Sequence, residues 1–313
     1  MVKRRMRTAP FSRPVVVACC ALAVAVAVMF VALPSTYAQV GFPSGQNIAP
    51  SYEGWEQNPD GSFNIVFGYF NRNWAEEIDL PIGVDNKIEP GEADQGQPTH
   101  FFPRRNRFVY RIRVPKDFGT RELVWTLTSH GTTERAYGTL KPDYFIDDVV
   151  IMNNFGAGGA GGGLPDTIGN KAPTLEIEGA VSRSVGVGQP VTLVALASDD
   201  GKPKSRPMPA PFSQLARASR GTPNSATGLR LSWFVYRGTG EVSFDPSQIK
   251  VWEDYREGEN SPWSAGWSTP PPPADGKWTT RATFSEPGTY VLRCLVHDGG
   301  LMSYKDVTVV VNR

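Results

Sequence analysis

Three histidines and three cysteines are all that this 313-residue chain offers as readily titrated bases and nucleophiles. His100 stands in QPTHFFP, His130 in SHG and His297 in VHDGG, and no GxSxG, HExxH, Walker or CxxC spacing accompanies them. Base catalysis needs a partner within hydrogen-bond reach, so His130 in a turn signal reads as a solvated turn residue and His100 carries no more. Cys294 alternates with Leu292 and Val296 and reads as a buried apolar side chain, not a reactive thiol. The expectation is therefore a protein without a catalytic site. Paired carboxylates remain the one route to an enzyme, a hydrolase of extracellular polymers, because Asp and Glu are plentiful and sequence does not give their separation.

Two groups of residues suit binding better. Trp252, Trp263, Trp267 and Trp278 crowd one stretch with Tyr255 and the run Pro270 to Pro273. Rings of this size bury roughly 150–250 Å² each, so they either fold down as a satellite core or form a stacking platform for sugar rings or a proline-rich partner. Asp199 and Asp200 close one predicted strand and Asp298 follows another, which makes the three a candidate calcium site, with simple Asp-Gly turns as the alternative. A third group, Glu76, Glu77, Asp79, Asp85, Glu89, Glu92 and Asp94, precedes Arg104, Arg105, Arg107, Arg111 and Arg113. It lacks EF-hand spacing and predicts a solvated loop loosely paired with those arginines, with a cation site as the alternative.

The elements that must position these residues are strands. Two-residue alternation recurs, with Gly and Pro between the runs, and helical periodicity is hard to find. Phe63, Ile65, Phe67 and Tyr69 predict one face; Phe108, Tyr110, Ile112 and Val114 predict another; Leu123, Trp125 and Leu127 lead into a hairpin at His130-Gly131. Residues 50–150 thus predict one β-sandwich. Residues 151–171, with six glycines between Asn154 and Gly163, predict a flexible linker. Residues 172–313 predict a second sandwich with long insertions at about 201–228 and 245–277, the first mobile, both emerging at the end that carries the 297–301 loop.

At the N-terminus Lys3, Arg4, Arg5, Arg7 and Arg13 precede an uncharged run from Val15 to Leu33 and small residues at Thr36 and Ala38. This predicts a signal peptide, residues 1–38, cut after Ala38, with an uncleaved membrane anchor as the alternative; residues 39–49 follow as an extension. Either way the rest lies outside the cytoplasm. Losing five basic residues turns 32 against 31 acids into 27 against 31, an acidic balance that argues against nucleic acid as a partner. Only Cys294 would remain, so no internal disulfide forms and apolar burial must supply stability.

The stretches APTLEIEG (172–179), VGQPVTLVALASDDGKP (187–203), LRLSWFVYRGTG (229–240) and FSEPGTYVLRCLVHDGG (284–300) resemble the PKD-type and related immunoglobulin-like repeats of bacterial exported proteins. Residues 50–150 resemble segments of other exported proteins. The resemblance implies an all-β chain of two immunoglobulin-like sandwiches in tandem, Trp233 in the core of the second, and a tyrosine corner at Tyr290. It implies a binding or scaffold protein of the periplasm or cell surface whose loops meet an extracellular carbohydrate or protein, with a pure spacer as the alternative.

Overall fold

The computed structural model describes residues 41–157, 165–208 and 224–313. The expected signal segment, the glycines from 158 onward and most of the first insertion lie outside them. In chain order the first sandwich runs β1 (Ile48–Gln57), β2 (Phe63–Asn71), β3 (Ile78–Asp79), β4 (Asn86–Glu89), β5 (His100–Phe101), β6 (Arg104–Val114), β7 (Leu123–Ser129) and β8 (Thr132–Gly138). A helix, α1 (Asp148–Phe155), follows. The second sandwich runs β9 (Thr174–Ile177), β10 (Ser182–Gly186), β11 (Val191–Ser198), β12 (Arg230–Arg237), β13 (Val242–Asp245), β14 (Lys277–Phe284), β15 (Gly288–His297) and β16 (Met302–Asn312).

Sheets β1-β2-β6 and β4-β7-β8 face one another in the first sandwich, with β3-β5 as a small third sheet. Alternation places Ile65, Phe67, Tyr110, Ile112, Trp125 and Leu127 between the layers. The β7-β8 hairpin closes through His130 (φ 48°) and Gly131 (φ 73°), two positive φ values in the pattern of a tight type I′ turn. In the second sandwich β10-β16-β15-β12 packs on β13-β14-β11-β9, burying Trp233, Leu292, Cys294, Val296, Val307 and Val309. Tyr290 donates its hydroxyl to Glu286 O at 3.0 Å, the tyrosine corner, and Gly238 and Gly240 leave room for its ring.

Two expectations fail here for identifiable reasons. Phe108 does not share a face with Tyr110. The register jumps from Phe67↔Tyr110 to Tyr69↔Asn106, so β6 bulges; Phe108 takes φ 52° and points to the outer face beside Val66. Gly68 sits opposite this bulge, where a Cβ would collide with Asn106 O and Glu53 Oε1. Nor is the whole of 151–171 a linker. Asp147 caps α1 by accepting from Val150 N at 2.9 Å, Gly156 ends it at φ 87°, and Ile151, Met152 and Phe155 are buried. These side chains cover the outer face of β1-β2-β6, an apolar surface that must be covered by something.

Residues Phe42–Arg313 accordingly form one compact unit. Arg293, buried on β15, pairs with Asp306 at 2.8 Å, lies 3.5 Å from the Tyr236 ring centre and 3.9 Å from that of Tyr304, and donates to Val109 O of the first sandwich at 2.7 Å. Arg237 clasps Asp94 at 2.7 and 2.9 Å and donates to Gln97 O at 2.8 Å. Tyr236 donates to Gly96 O at 2.5 Å and packs into the first core.

Candidate functional site

The insertion after β13 was the strongest candidate for a stacking platform, and its Trp252 and Trp263 turn inward while Tyr255 stays 41% exposed. The outer face of β1-β2-β6, to which alternation turns Val66 and the bulge turns Phe108, offers an apolar floor, and the insertion lies on it. Trp263 is buried there with Phe155, Ile151 and Leu301. Trp252 stacks on Phe102 of the first sandwich with ring centres 5.0 Å apart and planes 7° from parallel. Trp267 is half-buried and donates its indole N–H to Asn260 Oδ1 at 3.0 Å. Trp278 belongs to β14 and packs against the second core. The four rings occupy different sites and build no shared platform; Trp263 is withdrawn from solvent altogether.

Charge fixes the insertion as firmly as apolar contact. Asp254 is fully buried and accepts from Lys250 at 2.7 Å and Arg256 at 2.6 and 2.8 Å. Burial alone would raise its carboxyl, but these hydrogen bonds hold it below the ordinary carboxylate range. Glu253 pairs with Arg107 of β6 across the junction. On the same face Glu53 takes Arg105 at 2.7 and 2.9 Å, and burial still pushes its carboxyl up.

The aspartates expected to hold calcium are engaged in turns. Asp298 is buried, and its Oδ1 accepts from the backbone N–H groups of Gly300 and Leu301 while Oδ2 accepts from Asn170 at 3.0 Å. Burial raises its carboxyl to about 6, the nearby Asp199 adding to the shift. Asp199 accepts from Gly201 N at 2.9 Å and Asp200 from Lys202 N at 2.9 Å, each closing its own turn. Among the described residues no group of three or more His, Cys, Asp or Glu is arranged to hold a metal ion. The loops themselves do converge as expected: Ala226 N donates to Pro262 O, Met208 N to Trp267 O and Gly228 N to Asp298 O, joining both insertions to the 297–301 loop.

The acidic stretch departs from expectation in its partners. Four of the five arginines of β6 pair with carboxylates outside that stretch, Arg105 with Glu53, Arg107 with Glu253, Arg111 with Glu56 and Arg113 with Asp60, while Arg104 lies over the Phe70 and Trp74 rings. Of its members, Glu76, Glu77 and Asp79 turn to histidines, Asp94 to Arg237 of the second sandwich and Glu89 to Lys87. His100 sits between Asp79 at 2.7 Å and Glu77 at 2.9 Å; burial is the largest single influence and lowers it, but the two hydrogen bonds and charges together outweigh burial and raise it to about 9. His130 meets Glu76 at 3.1 Å across an open cleft of about 440 Å³ lined by Glu76, Glu77, Asp79 and Asp85. His297 is buried against Phe155, and burial holds it neutral, well below its ordinary value. Burial likewise pushes the Cys294 thiol far up. Among the described residues, His100, His130 and His297 each contact a carboxylate or an aromatic ring, and Cys294 is buried in the second core.

Sequence reasoning passed over one surface. Residues 141–150, PDYFIDDVV after Lys141, close the open edge of the first sandwich beside β1. Ile146 N donates to Trp55 O at 3.0 Å, and Trp55 donates its indole N–H to Lys141 O at 2.8 Å. Phe145 meets Trp55 at 5.0 Å, Tyr144 meets Tyr52 at 5.2 Å, and Phe63 meets Trp55 edge-on at 5.5 Å. Tyr144 and Phe145 remain 49% and 48% exposed. A β-bulge between Tyr52 and Gly54 turns both Tyr52 and Trp55 toward this edge. The five aromatic and acidic residues Asp143, Tyr144, Phe145, Asp147 and Asp148 were the signal available in sequence; their position at the end of a predicted domain hid it.

No described protein family matches the chain, and no curated protein does. Among solved structures it is similar to a conjugative transposon lipoprotein from Bacteroides eggerthii, at 13% identity over 44% of this chain and 95% of that one, TM-score 0.26. It is also similar to the fibronectin(III)-like modules of Clostridium thermocellum CbhA, at 10% identity over 85% and 94% of the two chains, TM-score 0.21. The D00-D0 domain of intimin gives 11% identity over 84% and 100%, TM-score 0.22. Overlaps this loose assign neither partner nor chemistry.

Proposed function

We propose that this chain is an exported, non-catalytic binding or scaffold protein in which two immunoglobulin-like sandwiches, the second of PKD type, are locked into one rigid body that presents a fixed surface to an extracellular partner. The observation that carries the reading is Arg293, whose buried guanidinium is shared between Asp306, two tyrosine rings and the Val109 carbonyl of the other sandwich. A swinging pair of modules has no use for a desolvated cation at its joint, since its burial is costly unless every partner is in place. The basic start and apolar run at the N-terminus support export. Commitment of all three histidines and Cys294 to structural contacts supports a role without catalysis.

A pure spacer is the second reading, favoured by the loss of Trp263 and Asp298 from the loop end of the second sandwich. Two measurements test the main one. Expressed whole in a bacterial host, the protein is expected in the periplasmic or surface fraction; retention in the cytoplasm overturns export. Calorimetry is expected to show one cooperative transition for the wild type, and two resolved transitions for the wild type overturn the locked joint.

A further inference from the structure

Of the surfaces the fold leaves open, the aromatic edge of the first sandwich carries the argument furthest. Its rings are held, not loose: Tyr52 donates to Thr139 O and burial raises its phenol to about 12, Trp55 is fixed through Lys141 O, and Ile146 N donates to Trp55 O of β1. On this base Tyr144 and Phe145 stay half-exposed, with Val149 57% exposed on the first turns of α1. Adjacent apolar side chains left at the surface of a well-ordered segment mark a contact site.

Three features select the occupant. Asp143, Asp147 and Asp148 interleave with the rings and are exposed, whereas the centre of a protein–protein interface is depleted of charge. An extended peptide has no strand edge to join here, because the segment around Phe145 already bridges β1 at Trp55 in parallel register. The carboxylates also repel an anionic ligand. Burial first, and then the neighbouring Glu56 and Asp147, raise the Asp148 carboxyl, with Arg111 acting against them. A ligand with apolar C–H faces, many hydroxyl donors and no negative charge satisfies all three conditions.

Resting on the reading of this chain as an exported binding protein, we propose that Trp55, Tyr144 and Phe145 form a binding strip for a neutral polysaccharide. Sugar rings lie against Tyr144 and Phe145, and their hydroxyls donate to Asp143 and Asp147. The strip lies on the first sandwich, and its rings are none of those of the tryptophan insertion.

The test is affinity electrophoresis of the full exported protein in gels containing laminarin, hydroxyethyl cellulose or galactomannan, with dextran sulfate as the acidic control. At least one neutral polymer is expected to retard the wild type and dextran sulfate to leave it unmoved. The double variant Tyr144→Ala/Phe145→Ala is expected to weaken retardation at least tenfold, while Trp267→Ala leaves it unchanged. Circular dichroism establishes that each variant is folded, and Tyr144→Phe, which keeps the ring, is expected to retain binding. Retardation by none of the neutral polymers overturns the proposal and leaves export and the locked joint to their own measurements. Equal retardation of wild type and double variant, or loss through Trp267→Ala, moves the site elsewhere. A photo-crosslinker at position 144 that captures a polypeptide at the cell surface replaces the sugar with a protein.

Discussion

The two aromatic-rich segments of this chain, residues 245–277 and residues 141–150, meet opposite fates. In the first, Trp252 and Trp263 are absorbed into the junction of the sandwiches; in the second, Tyr144 and Phe145 stay half in solvent. Composition does not separate them. What differs is the surface within reach. The insertion finds the outer face of β1-β2-β6, bare at Val66 and Phe108, and burying one tryptophan against it contributes about 4–6 kcal/mol at roughly 25 cal/mol per Å². The edge segment finds only the rim of one sandwich, where Trp55 and Tyr52 cover one side of each ring and nothing among the described residues covers the other.

The largest way to break that contrast is Trp263→Ala. The ring sits in a cluster drawn from β2, β6, α1 and the 297–301 loop, so its removal leaves a cavity that no single element can collapse to fill. An expected loss of about 4 kcal/mol follows from the usual cost of truncating a buried tryptophan, read as a lowered urea midpoint. A loss under about 1 kcal/mol would show that the insertion is peripheral to the joint.

The next effect is a pH dependence. His100 bonds Asp79 and Glu77 and rises from 6.5 to about 9 on folding. A base raised on folding contributes stability that is complete below its unfolded value and disappears as pH climbs through its folded one, so the window is pH 6.5 to 9. A shift of this size corresponds to about 3 kcal/mol, and exposure of the Glu77 and Asp79 side chains, 44% and 35%, screens it to about 2 kcal/mol. Between pH 6.5 and 9.5 the wild type is expected to lose that much more stability than His100→Gln. Parallel curves for the two proteins would assign the histidine no such part.

What the sequence made legible was whatever depends on local period. Ile65, Phe67, Leu292, Cys294 and Val296 face inward because alternation on a pleated strand leaves them no other side. His130-Gly131 and the Tyr290 corner were readable because each rests on a few consecutive residues. Phe108 was not, because a bulge reverses the alternation beyond it and a phenylalanine at positive φ gives no local sign of one. The helix after Asp147 was masked by the glycines that follow it; its apolar residues, Ile151, Met152 and Phe155, make sense only against a sheet face built 85 residues earlier, at Val66. The arginine partners failed for the same reason. Proximity along the chain favoured the acidic stretch, whereas β1 brings Glu53 and Glu56 across and the insertion after β13 brings Glu253. The candidate sites inherited these errors, since exposure of a tryptophan and convergence of carboxylates are both decided by packing between distant elements.

The smallest effect sharpens the contrast most. Tyr144→Ala removes a ring that is half-solvated and touches Tyr52 at 5.2 Å with planes inclined at 50°. A tilted aromatic pair adds about 0.5–1.5 kcal/mol beyond area, and exposure halves the area at stake, so the expected loss is about 1 kcal/mol, a quarter of that for Trp263→Ala. The same urea titration measures both. A loss comparable to Trp263→Ala would mean that Tyr144 is a structural ring and that the rim of the first sandwich, like its outer face, is sealed. A loss near 1 kcal/mol leaves Tyr144 as a ring whose outer half the fold does not use.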